Sequence, residues 1–118
     1  MRNSSVLAFV ALALLVTYAL SVRVAGGTTV VDGDSLELGK TSIRLYGVDA
    51  PEALQTCGER ASTWNCGRAA TDKLRGLIGR NEVTCRKKDT DSYGRTVAVC
   101  TAGGRDLGKE MVEAGLAL

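Results

Sequence analysis

Four acidic residues, Asp32, Asp34, Asp49 and Glu52, lie close together along the chain, with Arg44 among them and Arg95 well downstream. Carboxylates in such a group suit a hard divalent cation, which takes several oxygen ligands at flexible geometry. Guanidinium forks suit phosphate oxygens, because they donate two parallel hydrogen bonds and stay charged. Two forks beside a bound cation would make a phosphate clamp, and a spare carboxylate could accept a proton from water. The chain has no histidine. That excludes a histidine general base, a Ser–His or Cys–His pair and a histidine-ligated metal. Plainer readings of the same residues stand beside this one. Asp32-Gly33 is an ordinary hairpin turn, and Asp49 before Ala50-Pro51 is an ordinary strand terminator. Arg44 in mid-strand and Arg95 after a turn are common surface positions, and Arg86-Lys87-Lys88 reads as a solvated strand end. Residue types alone leave both readings open.

These side chains can cooperate only if the fold brings them together. Thr28 to Val31 is a β-branched run ending at Asp32-Gly33, which predicts a strand and a hairpin turn. Leu36 and Leu38 alternate with polar neighbours in a second strand, Gly39-Lys40 turns the chain, and Ile43 and Leu45 alternate with Arg44 and Tyr46 in a third. Pro51 ends the meander, since it cannot donate to a ladder. Gln55 to Thr63 is a polar loop, after which Ala70, Leu74, Leu77 and Ile78 recur at helical spacing. Glu82–Arg86 and Thr96–Thr101 read as two more strands around an Asp91–Gly94 turn, and Asp106 is placed to cap a last helix, Leu107 to Ala114, closed by Gly115. The order β-β-β-α-β-β-α, mainly β with helices, predicts a small five-stranded barrel of the oligonucleotide-binding type.

A chain of 118 residues has room for one domain, and a net charge of +2 makes it no polycation, so any anion-binding feature must be local. The apolar run from Val6 to Leu20, behind Arg2, predicts a signal peptide over residues 1–21; an uncleaved membrane anchor is the alternative. The domain proper is then 22–118, in a secreted or periplasmic location. Cys57, Cys66, Cys85 and Cys100 lack zinc-site spacing and fit two disulfides in an exported domain. Four cysteines allow three connectivities. A hairpin centred on the Asp91–Gly94 turn sets residue 85 opposite residue 100, which favours Cys85–Cys100 and leaves Cys57–Cys66 to staple a loop.

The strings Val31-Asp32-Gly33-Asp34-Ser35-Leu36 and Ile43-Arg44-Leu45-Tyr46-Gly47-Val48-Asp49-Ala50-Pro51-Glu52 resemble the front half of staphylococcal nuclease domains. Asp91-Ser92-Tyr93-Gly94-Arg95 is similar to their second signature, and Gly104 through Ala117 to the helix that follows it. The resemblance implies a calcium-dependent endonuclease that cuts DNA and RNA and leaves 3′-phosphate ends. By position it implies calcium on Asp34, Asp49 and the backbone carbonyl of Ala50, where the family has a threonine. It places Arg44 and Arg95 on the scissile phosphate, Glu52 as general base, Asp32 in a supporting role near the metal, and Tyr93 as a substrate-binding aromatic; a tyrosine simply packed on the turn is the other reading of Tyr93. The cysteine-bearing version is similar to exported bacterial members. DNA and RNA are the implied partners of a monomer, with no stable protein partner, and with a membrane only if residues 6–20 stay attached. Departures include Ser35 for the commoner threonine, Ser92 where a lysine is frequent, and a chain ending at Leu118 where family members continue through an aromatic loop and a further helix. The alternative is a barrel of the same family that binds nucleic acid or protein without cutting. Such relatives tend to lose the metal acids or the Arg–Glu–Arg set, and every one of those residues is present here.

Overall fold

The computed structural model describes residues 22–24 and 27–118; the expected signal segment lies outside the described residues. Three strands form the meander: β2 (Thr28–Asp32), β3 (Ser35–Leu38) and β4 (Thr41–Leu45). Leu36 pairs with Ile43, so Leu36, Leu38, Ile43 and Leu45 share one buried face while their alternate neighbours point outward. A helix, α1 (Cys66–Ile78), then carries the chain to a hairpin of β5 (Val83–Thr90) and β6 (Thr96–Ala102). β6 lies parallel to β4, which only a long crossover allows, and α1 with β5 provides it. A two-residue strand β7 (Arg105–Asp106) leads into α2 (Leu107–Glu113).

Strand β1 (Val22–Val24) pairs with β5, so the sheet order is β1-β5-β6-β4-β3-β2. β1 and β2 thus sit at opposite ends of the order yet are consecutive in the chain. Four Cα steps separate Val24 from Thr28, at most about 15 Å. The sheet must therefore curl until its ends approach, as in an oligonucleotide-binding-type barrel. Its core joins the meander leucines and Ile43 to Leu74, Val83, Ala98, Leu107 and Met111.

The expected helix face is the buried one, with Ala70, Leu74, Leu77 and Ile78 turned to the barrel. The helix starts earlier than its apolar spacing indicates, at Cys66, and Gly67 in its first turn lies so close to the Glu52 carbonyl that a Cβ would not fit. Asp106 caps α2 by accepting from the Lys109 amide at 3.1 Å. β5 runs on to Thr90 through a bulge at Lys88 and so exceeds the expected strand; its exposed Lys87-Lys88-Asp89 end stays in the ladder. Both disulfides have the expected partners. Cys85 and Cys100 are opposite one another on β5 and β6, and Cys57–Cys66 closes the loop before α1. Such crosslinks fit an oxidising compartment. Among the described residues no helix is long and apolar enough to cross a membrane.

Candidate active site

The β2–β3 turn delivers Asp34. Its amide donates to Asp32 Oδ1 at 3.2 Å, which fixes the turn, and its side chain is only 8% exposed. Oδ1 of Asp34 accepts from Ser35 Oγ at 2.9 Å, and Oδ2 accepts from the Ala50 amide at 2.8 Å. The register that sets Ser35 opposite Arg44 brings the guanidinium of β4 onto the same carboxylate, with Nη1 at 2.9 Å from Oδ2. Nη1 also donates to the Val48 carbonyl at 2.8 Å, while Nη2 lies 3.4 Å from Asp49 Oδ1. One guanidinium therefore spans both acids. The two differ sharply: Asp49 is 83% exposed, whereas burial, reinforced by the neighbouring Asp32, holds the Asp34 carboxyl above its usual value despite the bonds from Ala50 and Ser35.

The β5–β6 turn positions the second guanidinium. Gly94 N donates to Asp91 O at 3.1 Å, the hydrogen bond of the expected tight turn. The Asp91 carboxylate accepts from Arg95 Nε at 2.7 Å, from Arg95 N at 2.9 Å and from Tyr93 N at 3.0 Å. Burial pulls the Asp91 carboxyl upward, but these bonds, chiefly those from Arg95, outweigh it and hold the group below its ordinary value. By sequence Asp91 is a turn residue; its place at the head of the turn, four residues before Arg95, is the signal that ties it to the arginine. Tyr93 is 85% exposed, and its ring centroid lies 5.7 Å from the Arg95 guanidinium carbon.

Glu52 follows the Pro51 corner. Its backbone is held on both sides, the amide donating to Gln55 Oε1 at 3.1 Å and the carbonyl accepting from Gln55 N at 2.9 Å. Its exposed carboxylate has no hydrogen-bond partner among the described residues. Asp32, Asp34, Ser35, Arg44, Asp49, Ala50, Glu52 and Arg95 together line one cleft of about 230 Å³. The structure thus gathers every expected metal and catalytic residue at one place. Tyr93 falls in an adjoining cavity of about 420 Å³ that shares Arg44, Asp49 and Arg95 with the cleft.

Residues 42–118 match the family model described as staphylococcal nuclease homologue. The chain belongs to the staphylococcal nuclease family. Among its curated relatives, a succinoglycan biosynthesis protein of Rhizobium meliloti (strain 1021) is 33% identical over 90% of this chain and 58% of its own length. A micrococcal nuclease of Shigella flexneri is 32% identical over 75% of this chain and 53% of its own. An endonuclease of Bacillus subtilis (strain 168) is 34% identical over 75% of this chain but only 8% of its own. The chain thus spans about half the length of the first two and a small part of the third. Staphylococcal nuclease membership and two nuclease names support a nuclease-type function in general.

The cleft bears on the cation that this staphylococcal nuclease family uses. Its acidic donors are all oxygens, and four carboxylates face two guanidiniums, leaving an excess of negative charge. In donor type and charge it fits a hard divalent ion. Among the described residues no three acidic side chains stand close enough to close round one ion. Two carboxylates and a backbone carbonyl such as that of Ala50, with water in the remaining positions, are what the cleft can offer.

Proposed function

We propose that this domain is a calcium-dependent endonuclease that hydrolyses phosphodiester bonds of single-stranded DNA and RNA, leaving 3′-phosphate ends. The observation that carries the reading is the single cleft shared by Asp34, Arg44, Asp49, Glu52 and Arg95. Asp34, Asp49 and the Ala50 carbonyl would hold the ion, which supplies positive charge against the extra negative charge of a five-coordinate transition state. Arg44 on β4 and Arg95 at the end of the β5–β6 turn reach the phosphate, Arg44 held by Asp34 and Asp49 and Arg95 by Asp91. Anchored guanidiniums cost little reorganisation as charge develops, which is where preorganised donors gain most. Glu52, with its backbone clamped and its carboxylate free, aligns the attacking water and takes its proton. Recognition rests on backbone and stacking, with little sequence readout.

The test is a cleavage assay on the oxidised domain, residues 22–118, with end-labelled single-stranded DNA and RNA. Cutting with calcium and none with chelator is the expected result. Binding without cutting in calcium would instead favour the second reading, a barrel that holds a polymer without hydrolysing it. That reading draws on the Rhizobium relative, whose name refers to polysaccharide synthesis.

A further inference from the structure

A third cavity also meets the cleft, and it borders the Tyr93 cavity at Asp49 and Leu118. It has a volume of about 460 Å³ and shares Asp49, Ala50 and Glu52 with the cleft, while Trp64, Pro51 and Leu116 form apolar wall. Trp64 is the only tryptophan of the chain and is 50% exposed, costly for so large an apolar ring unless something covers it. The loop that carries it is unusually well fixed. Trp64 and Cys57 exchange two backbone hydrogen bonds of 2.9 Å, and the Cys57–Cys66 disulfide closes the loop around them. A half-exposed ring on a stapled loop pays little entropy on meeting a ligand.

We infer that Trp64 is a stacking platform for an unpaired nucleobase, seating a nucleotide next to the scissile phosphate. The chemistry singles out a base. The cavity has no cation among its lining side chains and two acids at its inner edge, so it repels phosphate, whereas an indole face takes any base. Continuity with the cleft fixes the occupant as the next residue of the strand being cut. This rests on the nuclease reading and names the substrate contact which that reading leaves open.

The lone tryptophan makes the test direct. In calcium, Glu52→Gln protein is titrated with oligothymidylate, and with an abasic sugar–phosphate chain of equal length, while Trp64 fluorescence is followed. Oligothymidylate is expected to quench the emission and the abasic chain to leave it unchanged; equal quenching by both would overturn the proposal. Adding Trp64→Ala should weaken oligothymidylate binding roughly 5- to 150-fold, the worth of one base–aromatic stack, with Trp64→Phe restoring most of it. An unchanged affinity in Trp64→Ala, or equal losses in Ala and Phe, would overturn it too. Wild-type protein that binds and quenches but never cuts would refute the nuclease reading and leave this subsite standing. Protein that cuts, with Trp64→Ala affinity unaltered, would do the reverse.

Discussion

Replacing Arg44 with alanine should damage stability as well as rate. Arg44 is 23% exposed and bonds Asp34 at 2.9 Å, the Val48 carbonyl at 2.8 Å and, more loosely, Asp49 at 3.4 Å. Its loss takes the cation from a nearly buried carboxylate that keeps its bonds from Ser35 and Ala50, and leaves the Val48 carbonyl without its donor, a group worth ~1–3 kcal/mol when unsatisfied. Partial exposure lets water repair some of this, which brings the expected loss to about 2 kcal/mol. Urea unfolding at pH 7 in chelator reads the stability, and Asp34→Asn combined with Arg44→Ala should recover part of the loss because no charge is then stranded. Arg44→Ala and Arg95→Ala should both slow cleavage by roughly 10²–10³-fold. Arg44→Ala protein as stable as wild type, or a double variant weaker than the sum of its singles, would refute this reasoning.

Opening Cys85–Cys100, which closes 15 residues, should cost about 3 kcal/mol, and opening Cys57–Cys66, which closes 9, about 2.5 kcal/mol, measured by denaturant unfolding of serine-pair variants. Gly67→Ala should drive a methyl into the Glu52 carbonyl, costing ~1–3 kcal/mol and lowering cleavage by moving the general base; unaltered stability and rate would contradict that packing. Asp91 is held below its ordinary value, so its contribution to stability is complete above the unfolded carboxylate value and disappears as pH falls through the lower folded one. The melting gap between wild type and Asp91→Asn should therefore close below about pH 4, and a gap constant with pH would argue against the Arg95 anchor.

Much of the site was legible because its residues sit at turns and strand ends that local chemistry dictates. Asp32-Gly33, Pro51 and the Asp91–Gly94 turn each announced a corner, and the last of these set Cys85 against Cys100. The Arg44–Asp34 pair was harder to see, since it depends on the register that places Ser35 opposite Arg44. β1 escaped notice because three residues carry no periodicity, and the far end of β5 because Lys87, Lys88 and Asp89 are exposed, with a bulge at Lys88 between the paired Lys87 and Asp89. The first turn of α1 lies ahead of the apolar spacing, and the contact of Gly67 with the Glu52 carbonyl is one that no spacing rule encodes. Asp91 as an anchor for Arg95 and Trp64 as an exposed ring became visible only with coordinates.

The central claim is that Glu52 and Arg95 act on one phosphate beside a bound cation. Single-turnover cleavage of a labelled single strand in calcium, comparing wild type with a Glu52→Gln, Arg95→Ala double variant, tests it most directly. The account predicts rapid cutting by wild type and loss of at least roughly 10²-fold in the variant, with its fold retained. Equal rates in the two proteins would contradict it.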